Sequence, residues 1–237
     1  MDNSINASET PGSPSRESAM DLVLVFAILV VLALTAVLAI FLVSRPVGTA
    51  VAANAPQLQP IDNPVQSAVR GAAVEPMVWE DAGATWTLQP KATYQIAARV
   101  LGNKPYSDWE SPTVPRDLAL GWGEMSDPAV DEWINWRQSG RWYYYTWGNE
   151  SPFNGRAIGR QSANVHIIPA TNNLKKALRD VGTNDLVYLE GRLVDIEMQN
   201  GRLERAISTS LTRDDSGNGA CEILYVERLT WNGKVYE

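Results

Sequence analysis

The chain has one cysteine and one histidine in 237 residues. A single thiol excludes an internal disulfide, so packing alone must hold the fold. One His without a His-Glu-x-x-His motif or paired cysteines gives no conventional zinc set, and neither a metal nor any other cofactor is expected. Basic residues are also few: 20 Lys and Arg stand against 27 Asp and Glu. From residue 46 onward the count is 18 against 23, with no clustered basic stripe. Phosphate neutralisation supplies most nucleic-acid affinity, so nucleic acid is not an expected partner, and no polybasic face addresses anionic lipid. Asp214-Asp215-Ser216-Gly217-Asn218-Gly219 lacks the ligand spacing of a calcium loop. Its Gly217-Asn218-Gly219 opens no helix, which excludes a phosphate-binding turn.

What the chain does have is an uninterrupted apolar run from Leu22 to Val43, bounded by Asp21 and Arg45. At the helical rise it reaches ~33 Å, enough to cross a hydrocarbon core. It is longer than the apolar region of a secretory signal and lacks a basic flank ahead of it, so it is expected to stay as an anchor. Thr35 is its only polar side chain. With no ionisable residue and no Gly-x-x-x-Gly face it reads as a tether, offering neither a transport path nor a dimer seam. Arg16 and Arg45 balance each other, so flanking charge gives no orientation. The usual arrangement for one N-terminal helix puts the C-terminal domain outside.

The chain divides into a disordered tail (1–20), the transmembrane helix (21–45), a linker rich in Pro and Ala (46–77) and a soluble β-rich domain (78–237). A helical turn is expected near Val65 to Ala73. Asp185 to Gln199 reads as a long strand bent at Gly191, and Asn200-Gly201 is a strong hairpin signal. Arg202 to Leu211 and Cys221 to Leu229 follow as strands, giving a three-strand antiparallel meander. Thr93 to Leu101, Arg141 to Trp147 and Val165 to Ile168 are further strands. Asn172 to Asp180, capped by Thr171, and Val130 to Arg137, entered through Ser126-Asp127-Pro128, are expected helices. About six strands and two or three short helices predict a mainly β (α+β) domain. A small curled antiparallel sheet is expected, with an oligonucleotide/oligosaccharide-binding-like barrel favoured over an open sheet backed by helices.

Eight of the nine tryptophans fall between Trp79 and Trp147. Most are expected in the core, with Trp122, between two glycines, exposed on a binding surface. Ser162, Asn164 and His166 alternate and so share one strand face, a polar row among apolar neighbours. The candidate binding residues are Trp122, Asn164, His166 and Arg213. His166, Cys221 and Asp214 are the candidate catalytic residues, although a lone free Cys is more often a small buried apolar residue.

Asp117 to Met125, Ser162 to Ala170 and Thr209 to Glu222 together resemble a group of uncharacterised bacterial proteins with an N-terminal membrane segment and a domain of this size. The resemblance spans roughly residues 85–229 and implies no activity. It implies a single-pass bacterial membrane protein; with the usual arrangement for one N-terminal helix, the expectation is an inner-membrane anchor with a periplasmic C-terminal domain. The leading expectation is a membrane-anchored, non-enzymatic binding or assembly module engaging a protein or envelope component. The alternative is a membrane-anchored hydrolase that uses the His166 face with Cys221 or Asp214. The two differ in geometry: the enzyme needs His166 to share an open cleft with Cys221 or an acidic residue, within about 3 to 4 Å for a direct pair, and the module needs an exposed apolar patch around Trp122. Oligomeric state is not legible in the sequence.

Overall fold

A computed structural model describes residues 16–52, 59–69, 74–81, 83–215, 217 and 219–237. Most of the expected tail, and parts of the expected linker, lie outside these residues. The chain separates into two units at Arg45/Pro46. The first is helix α1, Arg16–Ser44. Its stretch Val23–Ser44 is long and apolar enough to cross a membrane. The Thr35 hydroxyl donates to Leu32 O at 2.9 Å, so the one polar side chain of the apolar run is satisfied within the helix.

The second unit is mainly β. Its elements are β1 (Thr49–Ala50), β2 (Val65–Ala68), β3 (Met77–Asp81), β4 (Ala84–Pro105), β5 (Arg116–Gly121), β6 (Ile134–Ser139) and β7 (Trp142–Trp147). Then follow α2 (Gly155–Arg160), β8 (Ser162–Pro169), α3 (Asn172–Asp180), β9 (Leu186–Asn200), β10 (Leu203–Ile207), β11 (Glu222–Trp231) and β12 (Lys234–Tyr236). β6 and β7 form a separate hairpin, and the other ten strands belong to one sheet. Five of those ten pair in a cycle. β4 pairs with β5, β5 with β8, β8 with β11, β11 with β9, and β9 with β4 again. Every contact in the cycle is antiparallel except β8 with β11.

Alternation of side chains explains why this arrangement buries so much. Tyr94, Ile96 and Ala98 of β4, Leu118 and Leu120 of β5, Val165 and Ile167 of β8, Leu189 and Leu193 of β9, and Leu224 and Val226 of β11 belong to one buried cluster. Helix α3 adds Leu174, Ala177 and Leu178 from its single apolar face. The Thr171 hydroxyl caps it by accepting from Leu174 N at 3.1 Å. Leu88, Ile168, Val194, Ile196 and Ile223 form a second cluster, with Trp79, Trp109 and Tyr225 packed against it.

Four expectations change. Val130 to Arg137 is not a helix. Asp127 does cap a 3-10 turn over Pro128–Glu132, but Ile134 to Ser139 then alternates as strand β6 and pairs its Trp136 with Tyr145. Cross-strand aromatic packing outweighs the helix-start signal. The last three strands are not a meander, because β11 does not pair with β10: it takes the Val187–Leu193 part of the β9 edge whose Ile196–Asn200 part holds β10, and continues to β8. Val65 to Ala68 is strand β2 on β4 instead of a helical turn, and residues 70–73 lie outside the described residues. The segment read as a linker also supplies β1, paired with β12, while Gly123 N donates to Pro60 O at 2.8 Å. These parts of it are docked on the domain.

Gly191 carries the close approach of β9 to β11. A Cβ there would collide with the carbonyl oxygen of Tyr225, so no side chain fits without separating the strands. Gly191→Ala is therefore expected to destabilise the folded domain by ~2–3 kcal/mol. Urea unfolding of the detergent-solubilised chain, followed by tryptophan fluorescence, measures this.

Candidate functional site

β8 lies between β5 and β11, and this placement assembles the site. Across the antiparallel edge Asp117 is the register partner of His166, and Ala119 that of Asn164. Across the parallel edge Ile223 stands beside His166, so Cys221, two residues earlier, reaches the same face one step back along β8. Ser162, Asn164 and His166 do share that face, and β6, β7 and the turn between them cover it.

Asp117 is fully buried. His166 Nδ1–H donates to its Oδ1 at 2.8 Å. Arg141 Nη1 donates to the same oxygen at 3.2 Å, and Asn164 Nδ2 donates to Oδ2 at 3.1 Å. The Asn164 amide also donates to Arg141 O at 3.2 Å and lies 3.9 Å from Cys221 Sγ, while its Oδ1 accepts from Gln138 Nε2 at 2.8 Å. Cys221 also raises the pKa of the His166 ring. Asp117 on β5 and Cys221, just before β11, thus flank the imidazole from the two strands beside β8.

Burial works against a charged His166 ring, but Asp117, and after it Cys221, outweigh that and push its pKa up to about 10. Glu110 faces the same ring, and its own carboxyl is pushed up by burial against the pull of Arg141 and His166. Burial also raises the Tyr143 hydroxyl to about 12, with Ser162 and Arg213 pulling down and Cys221 pushing up. Tyr143 therefore stays a proton donor, to Ser162 O at 3.2 Å.

Arg141 holds the assembly from the hairpin tip. Gly140 and Arg141 have φ of 58° and 69°, the two left-handed residues of a tight hairpin turn. The guanidinium grips Asp108 through Nη2 and Nε at 2.6 and 2.8 Å, donates to Val114 O at 2.9 Å, and lies over the Tyr106 ring. These contacts hold a non-glycine residue in that backbone region.

Cys221 is half-buried and lines a cavity of about 540 Å³. Tyr143, Arg156, Ser162, Arg213 and Glu222 also line it. Arg213 Nη1 pairs with Glu222, whose side chain is buried, and the guanidinium sits over Tyr94 and Trp122 at 5.8 and 5.9 Å. Arg213 Nη2, Glu222 Oε2, Tyr94 Oη and Trp122 Nε1 are all buried without a hydrogen-bond partner among the described residues.

Of the residues singled out from the sequence, Asn164, His166 and Cys221 come together, and Arg213 faces the same cavity. Trp122 does not fit its expectation. It is 0 % exposed, because its ring fills the main core. Asp214 pairs with Arg160 on the surface instead of with His166. Asp117, Arg141 and Glu222 were missed as site residues. Asp117 and Glu222 each begin or lead an apolar strand in one of the three stretches that carry the resemblance, and that position was their only signal. Among the described residues, no three His, Cys, Asp or Glu side chains gather as a metal set. Compared with protein-family models, curated proteins and solved structures, the chain matches none.

Removing the carboxylate of Asp117 strands His166 and one donor of Arg141. Asp117→Ala is expected to lose ~3–5 kcal/mol of stability in denaturant unfolding. His166 is the sole histidine, so its imidazole resonance identifies itself by NMR. It should remain protonated through neutrality and titrate at about 10. Because folding raises this pKa from its ordinary 6.5, the associated stability is fully present below that pH and is lost as pH rises through about 10.

Proposed function

We propose that this protein is a membrane-anchored thiol hydrolase in which Cys221 is the nucleophile, His166 the general acid and base, and Asp117 the group that orients and charges the imidazole. The observation that carries the reading is the register of β5, β8 and β11, which puts Cys221 at a cavity wall on the face that holds His166, with the His166 ring bonded to the buried Asp117. A cysteine needs a neighbouring base or cation to react as thiolate, and a third group to fix the base. The binding-module reading loses its own support, since Trp122 offers no surface.

In the reaction, the thiol proton resides on His166 and the Cys221 thiolate attacks a carbonyl carbon of an amide or ester. A carbon–sulfur bond forms. The bond to the leaving amine or alcohol breaks as His166 gives that group its proton. Water then attacks the thioester and its proton passes to His166. The carboxylic acid leaves and the thiolate–imidazolium pair is restored. Asn164, bonded to Asp117 and beside the sulfur, keeps the two ends of the chain in register.

The same reading assigns the five-strand cycle to an oligonucleotide/oligosaccharide-binding-like barrel. The parallel closure of β8 on β11 and the insertion of α3 between β8 and β9 support this. We place the domain on the periplasmic side of a bacterial inner membrane, and a topology reporter fused after Glu237 reads the side.

Incubation with p-nitrophenyl acetate tests the chemistry. Wild-type protein should gain an acetyl group on Cys221, visible by intact mass, and release nitrophenol. His166→Ala should slow acylation by about 100-fold or more. Equal acylation rates in the two proteins would remove the proposed role of His166 and, with it, this function.

A further inference from the structure

The side-chain amide of Asn164 has two ends of nearly the same shape, and the site needs one of them inward. A half-turn about the Cβ–Cγ bond exchanges nitrogen and oxygen with almost no change of volume. Asn164 is 1 % exposed, so neither end has bulk water to turn to. Its Nδ2 meets acceptors: Asp117 Oδ2 at 3.1 Å and Arg141 O at 3.2 Å, with Cys221 Sγ at 3.9 Å. An inverted amide would set oxygen against oxygen at the first two and a lone pair against the sulfur. It would drive the Asp117 carboxyl off its bond to His166 Nδ1, because buried acceptors that face each other are destabilising.

The other end of the amide meets Gln138. Its Nε2 donates to Asn164 Oδ1 at 2.8 Å, and among the described residues no other donor reaches that oxygen. The Gln138 amide has the same two-ended shape, so something must fix it in turn. Nε2 lies 3.4 Å from the backbone carbonyl of Asp117, a group that only accepts. Oε1 points to Gly102, where a Cβ would stand 2.5 Å from it. Gly102 marks the register shift of β4 against β5, and the space it leaves is the space Gln138 uses. Tyr143, the cross-strand partner of Gln138, bonds to Ser162, so the hairpin meets β8 at two points of one face. Polarity thus passes from a backbone carbonyl through Gln138 and Asn164 to the carboxyl that holds the imidazole.

We infer that Gln138 is a positioning residue: seated in the gap at Gly102, it fixes the direction of the Asn164 amide and through it the bond between Asp117 and His166. Its effect on thiol chemistry rests on Cys221 being the nucleophile. Its effect on His166 does not.

The test uses the full detergent-solubilised chain and the NMR titration of its sole imidazole. Gln138→Glu keeps the shape but replaces the donor with an acceptor, which draws Nδ2 of Asn164 toward itself. It should lower the His166 titration from about 10 by about one pH unit or more. An added negative charge alone would raise it, so the sign separates positioning from plain electrostatics. Gly102→Ala pushes the flexible end of Gln138 aside and removes no polar group. It should move the titration in the same direction with the urea midpoint near that of wild type, which a merely structural role would not give. Acylation by p-nitrophenyl acetate should slow about tenfold in Gln138→Glu. A titration unchanged or raised in Gln138→Glu would overturn the positioning role, and the hydrolase reading would stand if His166→Ala still slowed acylation. A lowered titration with equal acylation in wild type, Gln138→Glu and His166→Ala would keep the positioning role and overturn the hydrolase.

Discussion

Asp117 puts a carboxyl group where no water reaches it, and the rest of the site is arranged around that fact. A buried carboxylate is tolerated only with its lone pairs filled by donors, at least one of them cationic. His166, Arg141 and Asn164 fill them, from two separate parts of the chain. The imidazole belongs to β8, the guanidinium to a hairpin tip, and the amide to the same strand two residues earlier. None can leave without exposing the others. Folding of the β6–β7 hairpin onto β5 and β8 is thus electrostatic as much as apolar, and the His166 ring takes its alignment from that burial.

The strand cycle supplies the rigidity. Because β8 is antiparallel to one neighbour and parallel to the other, residues that are distant in sequence are set side by side by register alone. A site built on paired strands holds its geometry more tightly than one on loops. The cavity also joins two chemistries that need different surroundings. Cys221, His166 and Asp117 share one face of the sheet. Glu222, pointing to the opposite face, sits with Tyr94 and Trp122 against the main core. The start of β11 is where the two faces meet.

Much of this was legible beforehand, and the failures have physical causes. The strand over Asp185 to Gln199, its Gly191, the Asn200-Gly201 turn and the capped helix at Asn172 are local signals that the structure keeps. The shared face of Ser162, Asn164 and His166 follows from strand periodicity alone. Pairing partners did not follow. A sequence gives the alternation of β11 but not whether it lies on β10 or β9, since both choices bury Leu224 and Val226 equally well. Asp117 was hidden for the same reason: its role depends on register with a strand some 50 positions away. Trp122 was misjudged because flanking glycines suggest an open turn, when here the turn serves to fold the ring inward.

The left-handed backbone at Arg141 has a consequence for how this chain can change. Glycine would relax that position, and selection for stability alone would favour it. Glycine would also strip Asp108 of its cation and leave Asp117 with His166 as its one cationic partner. The strained conformation therefore persists only while a guanidinium is needed at the hairpin tip. A lineage that lost the chemistry would be expected to lose this arginine early, well before the apolar core around it began to drift.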